Sequence, residues 1–276
     1  MKYKALKLAL AAASALTFAS GIHGQAPAAP AEKAASTAAL PSADEVIRKY
    51  DAALGGRAAW EKLHSRVSKG TIEIPALNNL SGTIEVHMKA PDSILVTIDL
   101  AGAVIRQGFD GTTAWSDDPR NGLRTLSGGE LEDEKREANF YHALDLQKIY
   151  PKMVVTGVEK VRDHDAYVIE ATPIAGGEND KLYFDTGSGL LVRSVNHRHT
   201  PEGMAEFEAE IEDYKDIDGI KLPGKVEQKS AQSGFVITFT DMQHNVNLSD
   251  SQFAKPAEEP VTTPATPPAP GPSSDK

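Results

Sequence analysis

The sequence predicts an α+β fold built on one large antiparallel sheet. From Val67 onward, apolar and polar residues alternate with a period of two, which is typical of half-buried antiparallel strands. Helical spacing is found only early in the chain and near its middle, whereas a parallel α/β fold would alternate strands with helices. These runs predict about ten strands and two or three helices. A sheet of that size must curl or close to cover its dry face.

The first helices are predicted at the start of the folded body. Ser42 and Glu45 fit a capping box, in which the two side chains satisfy free backbone N–H groups of the first turn. Apolar residues follow at helical spacing, at Val46, Ile47, Tyr50 and Leu54. The glycine pair at residues 55–56 ends this helix, and residues 57–63 are predicted to form a second, short one.

A longer helix is predicted in the middle of the chain. Ser127 and Glu130 fit a second capping box, and the acidic first turn suits the positive end of a helix dipole. Its weak apolar stripe consists of Ala138, Tyr141, Leu144 and Ile149. Pro151 stops the helix, so one helix is predicted over residues 127–149.

Three strands carry the most apolar stripes. Their inward residues are Ile84, Val86 and Met88, then Ile94, Val96 and Ile98, and finally Phe235, Ile237 and Phe239. Such a lining is either filled by the helices as an ordinary core or left as an apolar concave cavity, which is a common kind of ligand site. Trp115 is a further candidate for the lining because its large ring carries one N–H donor, and it equally suits core packing beside a turn.

Turn signals and one acidic strand set the expected register. Segments rich in Asp and Gly predict chain reversals at residues 109–115, 184–190 and 216–223. In the strand predicted over residues 204–214, glutamates alternate with smaller or apolar residues, Glu206, Glu208, Glu210 and Glu212 with Ala205, Phe207, Ala209 and Ile211. One face of this strand is therefore predicted to be wet and the other dry.

The chain carries few signs of catalysis. It has no Gly-x-Ser-x-Gly elbow, no phosphate-binding glycine loop, no His-Glu-x-x-His motif and no cysteine nucleophile, so we predict no catalytic residue, no metal ligand and no cofactor. His197 and His199 share one strand face, as two ligands of a zinc site would. The turn at residues 200–203 makes an exposed hairpin end the competing interpretation. A metal-dependent hydrolase using this His-x-His pair is therefore the alternative function.

The two ends of the chain indicate export. Residues 1–24 combine three lysines with an apolar run too short for a permanent bilayer span, as in a cleaved secretory signal, which predicts a periplasmic or secreted protein. The sequence contains no cysteine, so we expect neither lipid attachment at a cysteine nor a disulfide bond. Residues 25–41 and 255–276, rich in proline, are predicted to be disordered and leave residues 42–254 as one domain.

The net charge and the C-terminal tail indicate which binding partners to expect. The formal net charge of −10 argues against nucleic acid. The Pro-rich tail is suited to docking on other proteins, so an envelope interaction module is a second alternative function.

Five features follow one another along the chain: residues 109–115 followed by Pro119, Asp185 with residues 189–191, the acidic strand with Tyr214, residues 218–223, and Asp250 and Ser251 with Phe253. Taken in this order, they resemble the periplasmic lipoprotein-carrier family, that is, the LolA-like proteins and their outer-membrane receptor relatives. The resemblance spans roughly residues 42–254. It implies an open half-barrel with two or three helices packed in its concave side, residues 43–63 and 127–149 being the lid.

The same resemblance implies a function. Members of the family bind acyl chains or other amphiphiles in the concavity, so we expect a non-catalytic carrier for an acyl chain, lipid or lipoprotein in the cell envelope. Its protein partners would be a membrane-bound donor or acceptor. The three apolar stripes and Trp115 would form the lining of the site.

Overall fold

The structure, a computed structural model, describes residues 39–257 except Ala175, Glu202 and Gln232. The predicted signal peptide, most of the linker and most of the Pro-rich tail lie outside the described residues. The helices are α1 (Ala43–Ala53), α2 (Arg57–Trp60), α3 (Gly128–Ala138) and α4 (Leu146–Ile149). The strands are β1 (Ser65–Ile74), β2 (Leu80–Lys89), β3 (Ser93–Leu100), β4 (Ala103–Asp110), β5 (Ala114–Asp118), β6 (Gly122–Thr125), β7 (Lys152–Val161), β8 (His164–Thr172), β9 (Asp180–Asp185), β10 (Leu191–Thr200), β11 (Gly203–Glu212), β12 (Lys215–Ile217), β13 (Ile220–Leu222), β14 (Lys225–Ser230) and β15 (Gly234–His244).

Thirteen of these strands form one antiparallel sheet, in the order β6-β5-β4-β3-β2-β1-β15-β14-β11-β10-β9-β8-β7. The first and last strands, β1 and β15, pair at its centre, and β6 and β7 are its two unjoined edges. A separate hairpin is formed by β12 and β13. The open sheet with its helices confirms the predicted α+β class and half-barrel. We call the face on which the helices pack the inner face and the opposite one the outer face.

The three predicted reversals are confirmed. Asp110 accepts two backbone hydrogen bonds across the turn after β4, and Asp185 accepts one across the turn after β9. Between β12 and β13, Asp218 and Gly219 both have positive φ, 55° and 78°. Two such residues make the tight hairpin turn whose twist matches that of the strands.

Helix α1 begins as predicted. Ser42 N donates to Glu45 Oε2 at 2.7 Å and Glu45 N donates to Ser42 Oγ at 3.3 Å, which completes the capping box. The predicted stripe is buried, at Val46, Ile47, Tyr50 and Leu54. The ring of Tyr50 meets that of Phe184 in β9 edge to face, with centroids 5.0 Å apart. Apolar packing therefore fixes α1 to the inner face.

The start of α3 differs from the prediction. Ser127 precedes the helix but makes no side-chain hydrogen bond to it. The carboxylate of Glu130, the other half of the predicted capping box, instead forms a bidentate pair with Arg124 of β6 at 2.8 and 2.9 Å. A bidentate ion pair outcompetes a neutral cap for the same carboxylate.

The single helix predicted over residues 127–149 is also wrong, because α3 ends at Ala138. The next residue, Asn139, leaves the helical region (φ −57°, ψ 111°), and its side chain accepts a hydrogen bond from Tyr141 N at 2.9 Å. Phe140 N donates to Pro91 O at 3.0 Å, so the chain binds the sheet instead of itself. A 3-10 turn, His142–Leu144, then leads into α4.

Candidate functional site

Nine of the ten residues predicted to line a cavity lie together on the inner face. The stripes of β2 and β3 face each other in cross-strand pairs, Ile84 with Ile98, Val86 with Val96 and Met88 with Ile94. On the other side of β2, Gly70 of β1 lies opposite both Ile84 and Phe239. The stripe of β15, which consists of Phe235, Ile237 and Phe239, is therefore on the same face. Within each strand, the period of two places the predicted residues on this face.

Exposure divides this lining into three rows. Met88 and Ile94, nearest to the helices, are only 6% and 8% exposed. Ile84 and Ile98, further along the same strands, are 4% and 0% exposed. Val86 and Val96, which lie between these buried rows, are only half-buried, and so are the three residues of the β15 stripe. We call this accessible set the apolar trough: Val86, Val96, Phe235, Ile237 and Phe239.

The trough lies where the helix cover ends. The main core cluster joins α1, α2 and α3 to Met88 and Ile94. A second cluster of buried residues, Ile72, Ile74, Ile84, Ile98 and Leu100, contains no residue of α1–α4. The trough residues Val86, Val96 and Phe239 pack against both clusters. Apolar side chains that stay accessible on a concave face are the usual floor of a ligand site.

Trp115 does not join this lining. It lies opposite Gly108 of β4, which in turn lies opposite Leu95, so its side chain is on the outer face. A Cβ on Gly108 would come within 2.8 Å of the indole, so only glycine fits there. The indole N–H donates to Phe253 O at 2.8 Å. Trp115 thus holds the segment after β15 against the outer face, and the expectation that it lines the cavity is corrected.

His197 and His199 do not converge on a common site. His197 Nδ1 is 3.3 Å from Asp180 Oδ1, whereas His199 Nδ1 is 3.0 Å from Asp133 Oδ2 in α3. Within residues 39–257, less the three undescribed positions, no group of three or more His, Cys, Asp or Glu side chains is arranged to hold a metal ion. His197 Nε2 also lies 3.0 Å from Glu178 Oε2, so the two histidines contact separate sets of acidic side chains.

The acidic strand β11 has the predicted register. Phe207 and Ile211 are each 8% exposed on the inner face. The glutamates are on the outer face, where Glu208 pairs with Arg193 at 2.9 Å and Glu210 with Arg162 at 2.6 Å. These carboxylates are therefore part of an ion-paired surface.

Ion pairs between α3 and the sheet hold this helix over the inner face. Glu137 pairs with Arg198 of β10 at 3.1 Å, and Asp133 pairs with His199. Burial opposes the ionisation of Glu137, but the Arg198 guanidinium, with His142 and Arg136, lowers its pKa below the ordinary value. The ion pair of Glu130 with Arg124 joins α3 to β6 on the other side. α3 thus joins both walls of the half-barrel through ion pairs.

Glu134 of α3 was missed by sequence reasoning. Its side chain is buried, 5% exposed, and accepts a hydrogen bond from Gln107, which lies opposite Val96 of the trough. Burial raises the pKa of Glu134 to about 7, against the hydrogen bond from Gln107 that lowers it. The sequence offers no signal for this, since Glu134 is one acid among several in α3.

Arg66 is the second inner-face residue that sequence reasoning missed, and here a signal exists. Arg66 is in phase with Ile72 and Ile74, so period-two alternation alone places a cation on the dry face of β1.

No helix in the described part of the chain is long and apolar enough to span a membrane.

The fold has known counterparts, although no family model and no curated protein sequence matches the chain. Similar solved structures include a DUF1329 family protein from Desulfovibrio piger (TM-score 0.52, 17% identity, 76% of this chain and 95% of that one). A LolA superfamily protein from Nitrosomonas europaea is similar to the same degree (0.52, 18%, 78% and 99%). So is a domain described as an outer membrane lipoprotein-sorting protein from Vibrio parahaemolyticus (0.51, 12%, 76% and 95%). The chain therefore has the LolA-like fold.

Proposed function

We propose that the protein is an exported, non-catalytic carrier that holds the acyl chain of a lipid or lipoprotein in the cell envelope. The observation that carries the proposal is the apolar trough: five apolar side chains that are only half-buried on the concave face of an open half-barrel, next to residues that are fully buried. Water in contact with such a surface is released when a hydrocarbon chain covers it.

The size of the effect suits an acyl chain. Transfer out of water is worth ~0.8 kcal/mol per CH₂, so a chain of about sixteen carbons gains roughly 12 kcal/mol. The lining rows on β2 run from Met88 to Gly82, three steps of two residues, which is about 20 Å. A groove of that length accommodates an extended chain.

Two further observations support the proposal. The fold is shared with a LolA superfamily protein and with a domain described as an outer membrane lipoprotein-sorting protein. The predicted secretory signal at residues 1–24 would bring the chain to the envelope. There, a membrane-bound donor and acceptor would load and unload the carrier.

The test is a charge placed in the trough. Val96→Asp puts a carboxylate against any bound chain, whereas Thr97→Asp puts the same group on the outer face of the same strand, between Glu85 and Arg106. We expect wild type and Thr97→Asp to bind a fluorescent apolar probe at about one per chain and to release it to palmitate. Val96→Asp should remain folded by circular dichroism and bind more than about 30-fold more weakly, because the chain would desolvate the charge.

Two outcomes contradict the proposal. If folded Val96→Asp binds the probe as wild type does, the trough is not the site. If Val96→Asp unfolds while Thr97→Asp does not, the trough is closed core in solution.

A further inference from the structure

One cation on the inner face has no counter-charge. The Arg66 guanidinium donates from Nη2 to Met88 Sδ at 2.8 Å and lies 6.0 Å from the centroid of the Phe140 ring. A thioether is a weak acceptor. Among the described residues, no carboxylate comes within ion-pair distance of Arg66, although such pairs hold most of the other arginines of the sheet and helices.

The surroundings of Arg66 are dry yet accessible. Burial lowers the pKa of Arg66 to about 10, and no neighbouring charge offsets that effect. The guanidinium still carries its charge at neutral pH. The residue as a whole is nevertheless half-buried, so part of it remains in contact with solvent. A charge enclosed by apolar groups without a partner is costly unless something pairs with it.

A buried nitrogen without a hydrogen-bond partner, Nε2 of His244, belongs to the residue opposite Arg66. His244 of β15 lies directly opposite Arg66 of β1, and directly opposed residues share a face with Cβ atoms about 5 Å apart. His244 Nδ1 is 3.1 Å from Asp218 Oδ2, and the side chain is 1% exposed. Its buried Nε2 has no hydrogen-bond partner in the described structure. The residue opposite Arg66 on β15 is therefore an imidazole, which offers the guanidinium no negative charge.

We infer that Arg66 forms an anion subsite at one end of the apolar trough, which binds the charged head of a single-chain amphiphile. The Arg66 guanidinium offers a planar fork of N–H donors that matches a carboxylate or a phosphate. Met88, which Arg66 touches, is one step of two residues from Val86, so a head held by Arg66 leaves its chain over the trough.

This inference rests on the proposed function and narrows it. The chemistry it selects is an acyl chain that ends in an anion, whether a fatty-acid carboxylate or the phosphate of a lysophospholipid. An acyl chain that ends in a neutral ester would fill the same trough without contacting Arg66.

The test compares ligands that differ only in the head. Palmitate, palmitoyl lysophosphatidate and methyl palmitate are titrated against the probe-loaded protein, with inorganic phosphate as a chainless anion. We expect wild type to prefer one or both anionic lipids over methyl palmitate by about tenfold or more, and which of the two leads identifies the head group. Arg66→Met should abolish the preference without weakening methyl palmitate, and Arg66→Lys should keep part of it.

Arg198→Met is the matched control. Arg198 is also on the inner face, but Glu137 already neutralises it, so its loss should affect acid and ester alike. Thermal stability separates the two arginines further. Arg66→Met removes an unpaired buried charge and should raise the midpoint by about 2–4 °C, whereas Arg198→Met leaves Glu137 unpaired and should lower it.

The inference is overturned if wild type binds palmitate, lysophosphatidate and methyl palmitate equally, or if Arg66→Met keeps the preference. It is also overturned if inorganic phosphate displaces the probe as well as the lipids do, since the site would then serve free anions. If none of the three lipids binds, the proposed function fails with it, whereas equal binding leaves that function intact.

Discussion

The two long helices on the inner face are the same length and dock by opposite chemistry. Both α1 and α3 have 11 residues. Toward the sheet, α1 presents Val46, Ile47 and Tyr50, which are 3–5% exposed. α3 presents two buried residues, Glu134 and Ala138, and a half-buried Leu131, and ion pairs join it to β6 and β10.

Because of this difference, we expect α1 to stay docked under all conditions in which the domain is folded, and the docking of α3 to depend on pH and salt. Apolar burial responds little to pH or salt, so α1 should stay in place whenever the domain is folded. A partly exposed ion pair such as that of Asp133 with His199 is weakened by salt, and a buried carboxyl changes its contribution with pH. α3 lies beside the trough through Glu134 and Gln107, so its docking is the one that conditions can alter.

The largest expected effect is on the unfolding free energy, when one apolar side chain is truncated in each helix. Ile47→Ala in α1 removes a side chain that is 3% exposed and should lower the unfolding free energy by about 2–5 kcal/mol. Leu131→Ala in α3 truncates a half-buried side chain and should cost about 1 kcal/mol or less. Urea melts of the two variants measure the difference. Equal losses would show that α3 is packed as firmly as α1.

Much of this architecture could be predicted from the sequence, because its signals are local. The capping box at Ser42 and the Asp and Gly turns depend on neighbours within a few residues. The apolar stripes of β2, β3 and β15 follow from period two. These features agree with the structure, whereas the second predicted capping box is absent because Glu130 pairs with Arg124.

The failures have long-range causes. α3 stops at Ala138 because Phe140 N binds Pro91 O, a contact between residues 49 positions apart. Trp115 faces outward because β5, only five residues long, pairs in a register that its own sequence does not specify. The buried state of Glu134 depends on where α3 lies. No local pattern encodes these placements, and all three concern the surroundings of the candidate site.

An intermediate effect is expected from pH, acting through Glu134. Burial raises its pKa from 4.5 to about 7, so its protonated form is favoured in the folded state. Below about pH 4.5 the group costs no stability, because both states are protonated. As the pH rises toward and through 7, the folded state must keep a proton or bury a charge, and the unfolding free energy falls by about 3 kcal/mol.

Glu134→Gln isolates this contribution. Its amide oxygen can still accept the hydrogen bond from Gln107, and it cannot ionise. Wild type and variant should have similar stability near pH 4.5, and the variant should be the more stable one above pH 7. The difference between the two profiles cancels the nearby charged groups Asp133, Glu137 and Arg198. Parallel profiles between pH 4.5 and 8 would mean that the carboxyl is solvated and that α3 is not closed over it.

The smallest effect distinguishes the two histidines of β10, of which only one reaches α3. His199 pairs with Asp133 at 3.0 Å, whereas His197 pairs with Asp180 and contacts neither long helix. His199→Ala should accelerate amide hydrogen exchange in α3 about two- to fivefold, the size of a partly exposed ion pair, and His197→Ala should leave it unchanged. Metal analysis of the same samples tests the zinc alternative. Tightly bound zinc that is lost in either variant would favour the metal-dependent hydrolase, and equal exchange in the two variants would mean that the ion pair with His199 does not hold α3.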